Sequence, residues 1–86
     1  MRFLTVIWDD GEGENVEHIA EHGLTPDDVE DVLNDPDSVF DVSRSTGRPI
    51  AFGYTRTGRY IAVVYEELDP LTVYPLTAYD AREPGA

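Results

Sequence analysis

Four arginines, Arg44, Arg48, Arg56 and Arg59, fall between residues 42 and 65, a stretch that contains no acid and also holds Tyr54, Tyr60 and Tyr65. Fixed cations hold phosphate and aromatic rings stack unpaired RNA bases, so this is where chemistry on a nucleic acid would be concentrated. In a regular strand Arg48, Ile50, Phe52, Tyr54 and Arg56 alternate onto one side, which would set a cation at each end of an aromatic stripe. A second use competes with the first. Residues 1–41 carry thirteen acids against Arg2, and the same arginines could simply pair with them. Exposed pairs of that kind contribute below about 1 kcal/mol each, so folding does not require them. The sequence leaves both uses open.

Two other constellations invite chemistry. His18-Ile19-Ala20-Glu21-His22 has the spacing with which inverted zinc peptidases hold a metal on two histidines one helical turn apart. At 100° per residue both histidines lie roughly opposite the stripe of Val16, Ile19 and Ala20, so they are expected to face solvent, His22 as a favourable cation at a helix C-terminus. The acid–glycine run Asp9-Asp10-Gly11-Glu12-Gly13-Glu14 lacks the twelve-residue calcium loop with its terminal glutamate, and reads as a polar strand-to-helix connection. The chain has no cysteine, which excludes disulfides, thiolate metal sites and a thiol nucleophile. No metal site and no cofactor is expected.

These residues must be positioned by a small α+β domain. Phe3–Trp8 is rich in β-branched and aromatic residues and predicts a first strand, its near-continuous apolarity suggesting an inner position in a sheet. A helix is expected over about 14–22, stopped by Gly23. Thr25 as N-cap, Pro26 at the first helical position and acids in the first turn predict a second helix to about Asn34, with Leu24 stapled onto Val29. Ser38–Val42 reads as a short strand with Val39 as its clearest core candidate, and Asp37 and Asp41 make it an edge or a marginal one. Pro49–Thr55 and Arg59–Glu66 read as a hairpin turning at Thr57-Gly58, the second arm central and covered on one side by the helices. Thr72–Tyr79 is a last strand in which Pro75 indicates an edge or a bulge. The order is β-α-α-β-β-β-β, two short helices on a mostly antiparallel sheet, in one domain of residues 1–80 with a disordered tail over 81–86.

The formal charge is −12 with all six cations arginine, and 41% of residues are hydrophobic. That composition belongs to a folded domain rather than a disordered tail. The longest apolar run, Ile61–Tyr65, is far short of the roughly 20 residues a membrane helix needs, and the first residues show no secretory pattern, so a cytoplasmic protein is expected. An acidic, lysine-free surface suits a salt-rich cytoplasm, where a Debye length of about 3 Å at 1 M screens self-repulsion. A functional acidic face over residues 9–41, mimicking nucleic acid or docking on a basic partner, is the competing explanation.

Taken in order, Trp8-Asp9-Asp10, then His22-Gly23-Leu24-Thr25 leading into an acidic helix that ends Asn34-Asp35-Pro36, then Gly47-Arg48-Pro49, Gly58–Tyr65 and Pro75-Leu76-Thr77-Ala78-Tyr79 form a recognisable set. Over about residues 6–82 the chain resembles the BrnT-like group of small proteins within the RelE-type toxin superfamily of type II toxin–antitoxin pairs. The resemblance implies helices packed on an antiparallel sheet, metal-independent RNA cleavage in the toxic members, and a neutralising antitoxin partner. Toxic members tend to be basic, with a small residue and paired arginines near the final strand; this chain has Ala78-Tyr79-Asp80-Ala81-Arg82 there. If RNA is cleaved, the 2′-OH attacks the adjacent phosphate, which needs a base and cations at the developing charge. Arg48 and Arg56, with Arg82 as a third cation, are the candidates for charge stabilisation, and His22 or Glu66 for the general base. Tyr54 or Tyr79 would stack a base, and Arg44 and Arg59 would contact RNA. The rival expectation is a non-catalytic protein-interaction module on the same fold.

Overall fold

The computed structural model describes residues 5–84. Thr25 caps the better-formed helix as its spacing requires: the Asp28 amide donates to Thr25 Oγ1 at 3.3 Å and the Thr25 amide donates to Asp28 Oδ2 at 3.0 Å. This reciprocal box, with Pro26 in the first turn, starts α2 (Pro26–Asn34). One face of α2 buries Val29, Val32 and Leu33 completely, about 1.5–3 kcal/mol each. Leu24, just outside the helix, is buried in the same cluster as Val29. The preceding helix, α1 (Asn15–Ala20), is shorter than its apolar spacing suggests. Ile19 is fully buried, but Ala20 is exposed and the other buried residue of the helix is Asn15.

Five strands complete the domain: β1 (Thr5–Val6), β2 (Val39–Val42), β3 (Pro49–Tyr54), β4 (Tyr60–Asp69) and β5 (Thr72–Asp80). They form one sheet in the order β1-β5-β4-β3-β2, antiparallel except for the parallel pair of β1 with β5. The last four strands form a meander in which β4 is central, as its two apolar faces require. α2 packs on β3 and β4, and α1 on β5, so both helices cover the same face. Under them lies the main core of Ile19, Leu24, Val29, Val32, Leu33, Ala51, Ile61, Val63, Tyr65, Val73 and Ala78. A smaller cluster of Ile50, Ala62 and Val64, flanked by Phe52, Leu76 and Ala81, lies apart from it. Strand alternation puts this cluster on the opposite face, which no helix among the described residues covers.

The thin side of β3 is what lets α2 come close. A Cβ on Gly53 would sit 2.3 Å from Ser38 Oγ and 3.2 Å from Val32 Cγ1, and that hydroxyl is fixed by donating to the Val32 carbonyl at 2.7 Å. The hairpin closes with Gly58 at φ 90°, a conformation that glycine adopts without strain, while the Thr55 amide donates to the Arg59 carbonyl at 2.8 Å.

Two local expectations are corrected. The first strand is an edge, not an inner strand: only Thr5 and Val6 pair with β5, and Phe3 and Leu4 lie outside the described residues. Its apolarity is used differently, since Trp8 leaves the sheet to pack on the main core and donates from Nε1 to Glu30 Oε2 at 2.7 Å. In β2 the core contact is Phe40, and Val39 is 57% exposed. The register explains this, because Phe40 lies opposite Ala51 on the helix side and Val39 opposite Phe52 on the uncovered side. Pro75 produces a bulge, with Tyr65 paired to Pro75 and the next residue, Val64, paired to Thr77. Beyond β5, Ala81 continues the chain by donating its amide to the Tyr60 carbonyl at 3.0 Å, and Pro84 reaches Tyr54 and Tyr60; residues 85–86 lie outside the description.

Candidate functional site

The residues singled out for chemistry fall into separate places. Arg48 precedes β3 and Arg56 follows it, so a six-residue strand, about 20 Å at 3.3 Å per residue, lies between the two cations. They cannot grip one phosphate. Arg48 Nη1 meets Glu66 Oε1 at 2.5 Å in a half-exposed pair that engages two of the candidates with each other. Arg56 does not continue the stripe of Ile50, Phe52 and Tyr54. Its Nε lies 3.1 Å from Asp31 Oδ1 of α2, and its amide donates to Asp31 Oδ2 at 3.2 Å. Arg44, between β2 and β3, and Arg82, after β5, are exposed and make no ion pair among the described residues.

One corner does collect several candidates. Arg59, at the start of β4, donates through Nε and Nη2 to the Asp80 carboxylate at 2.9–3.1 Å. It also donates from Nη1 to the Gly23 carbonyl at 2.7 Å and from Nη2 to the His22 carbonyl at 3.0 Å. The guanidinium therefore ties the chain end of α1 to the ends of β4 and β5, where a cation also meets the negative end of the helix. With its donors spent in this way Arg59 has little left for a phosphate. The Asp80 carboxyl is held below the usual carboxylate range chiefly by the hydrogen bond from Arg59. Beside this clamp the exposed His22 ring lies 6.3 Å from the ring of Tyr79, centroid to centroid, in a tilted contact. Tyr79 itself is 37% exposed. The corner thus offers a solvent-accessible imidazole and a phenol, with the neighbouring carboxylate already engaged.

The second grouping was legible only in part. Tyr54 and Tyr60 face each other across the hairpin, their ring centroids 4.9 Å apart, and the Phe52 ring stacks on Tyr60 at 6.4 Å. Period-two alternation finds Phe52 and Tyr54, but Tyr60 joins them only through the register of β3 against β4. Val39 at the start of β2, Asp35 and Asp37 from the turn after α2, and Pro84 line a cleft of about 140 Å³ together with this trio. Burial, and then the nearby Glu83 carboxylate, push the Tyr54 hydroxyl above its usual pKa. A wider groove of about 850 Å³ continues from Tyr54 along α2, bordered by Asp27, Asp31 and Asp35 with Arg56 across from them. Among the described residues no three His, Asp or Glu side chains converge as a metal site would require.

No helix among the described residues is long and apolar enough to cross a membrane. No protein-family model, curated protein or solved structure matches the chain.

Proposed function

We propose that this chain is a toxin-type module of the BrnT-like kind that works by binding a partner protein. The observation that carries this reading is a pair of exposed side chains on the sheet face away from the helices: Val39 and Tyr54 are 57% and 46% exposed there, beside the second cluster of Ile50, Ala62 and Val64, which is itself buried with Phe52, Leu76 and Ala81 packed against it. Two-layer domains bury the face that their helices cover, and an apolar second face marks a binding surface. The commitments of the basic hairpin point the same way. Arg48, Arg56 and Arg59 each meet a carboxylate of the same chain, which favours an internal use of these cations over an RNA contact. At a net charge of −12 the molecule repels RNA, whereas a basic protein would be attracted.

The test is co-expression with the product of an adjacent small gene, followed by size-exclusion chromatography in molar salt. A 1:1 complex is expected, lost in Val39→Arg, a change at an exposed edge position that leaves the core untouched. A chain that stays alone, or a complex indifferent to changes on the open face, overturns the reading.

A second reading, RNA cleavage, is favoured by one observation: the exposed His22 imidazole lies against Tyr79 next to the engaged Asp80. It predicts metal-independent cleavage of added RNA by the purified chain, abolished by His22→Ala while the fold, followed by circular dichroism, is unchanged. Intact RNA in both samples rejects it.

A further inference from the structure

The cleft over Phe52, Tyr54 and Tyr60 has no assigned role. Two tyrosine rings meet at a 57° tilt and the third ring stacks on one of them at 15°, and all three line one small space. Asp35 and Asp37 line the same space, Asp35 Oδ1 accepting from the Asp37 amide at 2.8 Å, and Glu83 lies near the Tyr54 hydroxyl. None of these three carboxylates is in an ion pair among the described residues. Aromatic faces and unpaired carboxylates around one space attract a cation for independent reasons. The ring quadrupole draws a positive charge to the π face, and the acids add a Coulomb term. A volume of about 140 Å³ suits one side-chain head group, and is too small for a nucleotide.

The position of the cleft says how the cation would arrive. Val39, the first residue of β2, lines it, and β2 ends the sheet with no strand beyond it among the described residues. A terminal strand presents main-chain donors and acceptors that an extended segment of another protein can pair with. A second copy of this chain is a poor candidate, because each copy would bring Asp35, Asp37 and Asp41 against the same acids at a net charge of −12. Arginine is favoured over lysine because its planar, weakly hydrated guanidinium stacks on aromatic rings.

We propose that the aromatic cleft formed by Phe52, Tyr54 and Tyr60 receives an arginine side chain from an extended partner segment that adds to the free edge of β2. The proposal rests on the partner-binding reading and specifies its contact. Exposed Val39 and Tyr54 supply apolar contact, and the cleft supplies the charge selectivity. Exposed Coulomb pairs weaken as salt rises, but a guanidinium inserted between rings is screened less, so recognition would persist in a salt-rich medium.

The test uses the full chain and a blocked pentapeptide with arginine between two valines, beside the same peptide carrying neutral, isosteric citrulline. Binding is followed by the ring resonances of Tyr54 and Tyr60 and by the amides of β2 in NMR spectra. Saturable shifts at both rings and along Val39–Val42 are expected, with citrulline binding about tenfold more weakly. Tyr54→Phe keeps the π face and should bind as the parent does, while Tyr54→Leu should lose about tenfold; Asp37→Asn, at an exposed site, should weaken binding less. Equal binding of the two peptides, or shifts away from the cleft, overturns the proposal. So does binding of blocked single arginine that matches the peptide without moving the β2 amides, since the site would then serve a small cation. If the peptide fails while the partner complex still forms and is lost in Val39→Arg, this inference falls and the partner-binding reading stands; loss of both removes the reading as well.

Discussion

Asn15 does with one side chain what a further pair of strand residues would do. The Ile7 amide donates to the Val73 carbonyl at 2.9 Å, and the next outward carbonyl of β5, that of Pro75, accepts from Asn15 Nδ2 at 2.9 Å. The same amide group donates to the Ile7 carbonyl at 2.9 Å, and Asn15 Oδ1 accepts from the Asp9 amide at 2.8 Å. The side chain is 2% exposed, so these bonds form away from water and close the end of the β1–β5 pairing while starting α1. Asn15→Ala should cost about 2–3 kcal/mol in urea unfolding, because it leaves buried main-chain groups without partners. Asn15→Asp should cost at least as much at neutral pH, since a carboxylate cannot donate to either carbonyl. A loss under about 0.5 kcal/mol in both would mean that water replaces the amide. In the sequence Asn15 is one polar residue before a short apolar stripe; its partner at Pro75 is sixty positions away, and no local pattern carries that information. The same holds for the arginines, whose competing uses differ only in which carboxylate comes within reach.

At the scale of elements, the approach of α2 to β3 depends on the absence of a side chain at Gly53. A methyl group there collides with a hydroxyl already anchored to α2, so Gly53→Ala should destabilise by about 1–3 kcal/mol, and Ser38→Ala in the same chain should recover part of it. Chemical denaturation of the two single variants and the double checks this; additive losses would show that the contact is not the cause. α2 was legible in full because its signals are local: cap, proline, acids in the first turn, and apolar residues at helical spacing. β3, β4 and the turn at Gly58 were legible for the same reason. In β2, rightly an edge, only the residue facing the core was misjudged. β1 was misjudged because an edge strand and an inner strand can share one composition. What separates them is the number of neighbours, which is a property of the assembled sheet.

For the whole molecule the governing quantity is a charge of −12 on 86 residues. Such a surface opposes its own compaction, and dissolved salt relieves the repulsion over a Debye length that falls from about 10 Å at 0.1 M to about 3 Å at 1 M. The midpoint of thermal unfolding should therefore rise with potassium chloride, steeply up to about 1 M if screening alone acts and further beyond it if the surface is salt-adapted. A midpoint that stays flat from 0.1 to 3 M would remove salt adaptation as the reason for the acidity. The three arginine–carboxylate pairs among the described residues are mostly exposed and offset little of this repulsion.

The sequence by itself determined the fold class, the order of the elements, the capped second helix, the central hairpin and the separation of an acidic first half from a basic island. All of these follow from residue types within a few positions of one another. The tertiary structure alone decided which side of β3 the helices cover, and with it the rest. Because Ala51 and Gly53 form the thin side, α2 settles there, Arg56 turns toward Asp31, and Ile50, Phe52 and Tyr54 are left on the open face. The aromatic cleft exists because the register of β3 against β4 brings Tyr60 to Tyr54 while the chain leaving α2 brings Asp35, Asp37 and Val39 over them. Contacts between such distant positions are set by packing, where strand register and helix placement are chosen together.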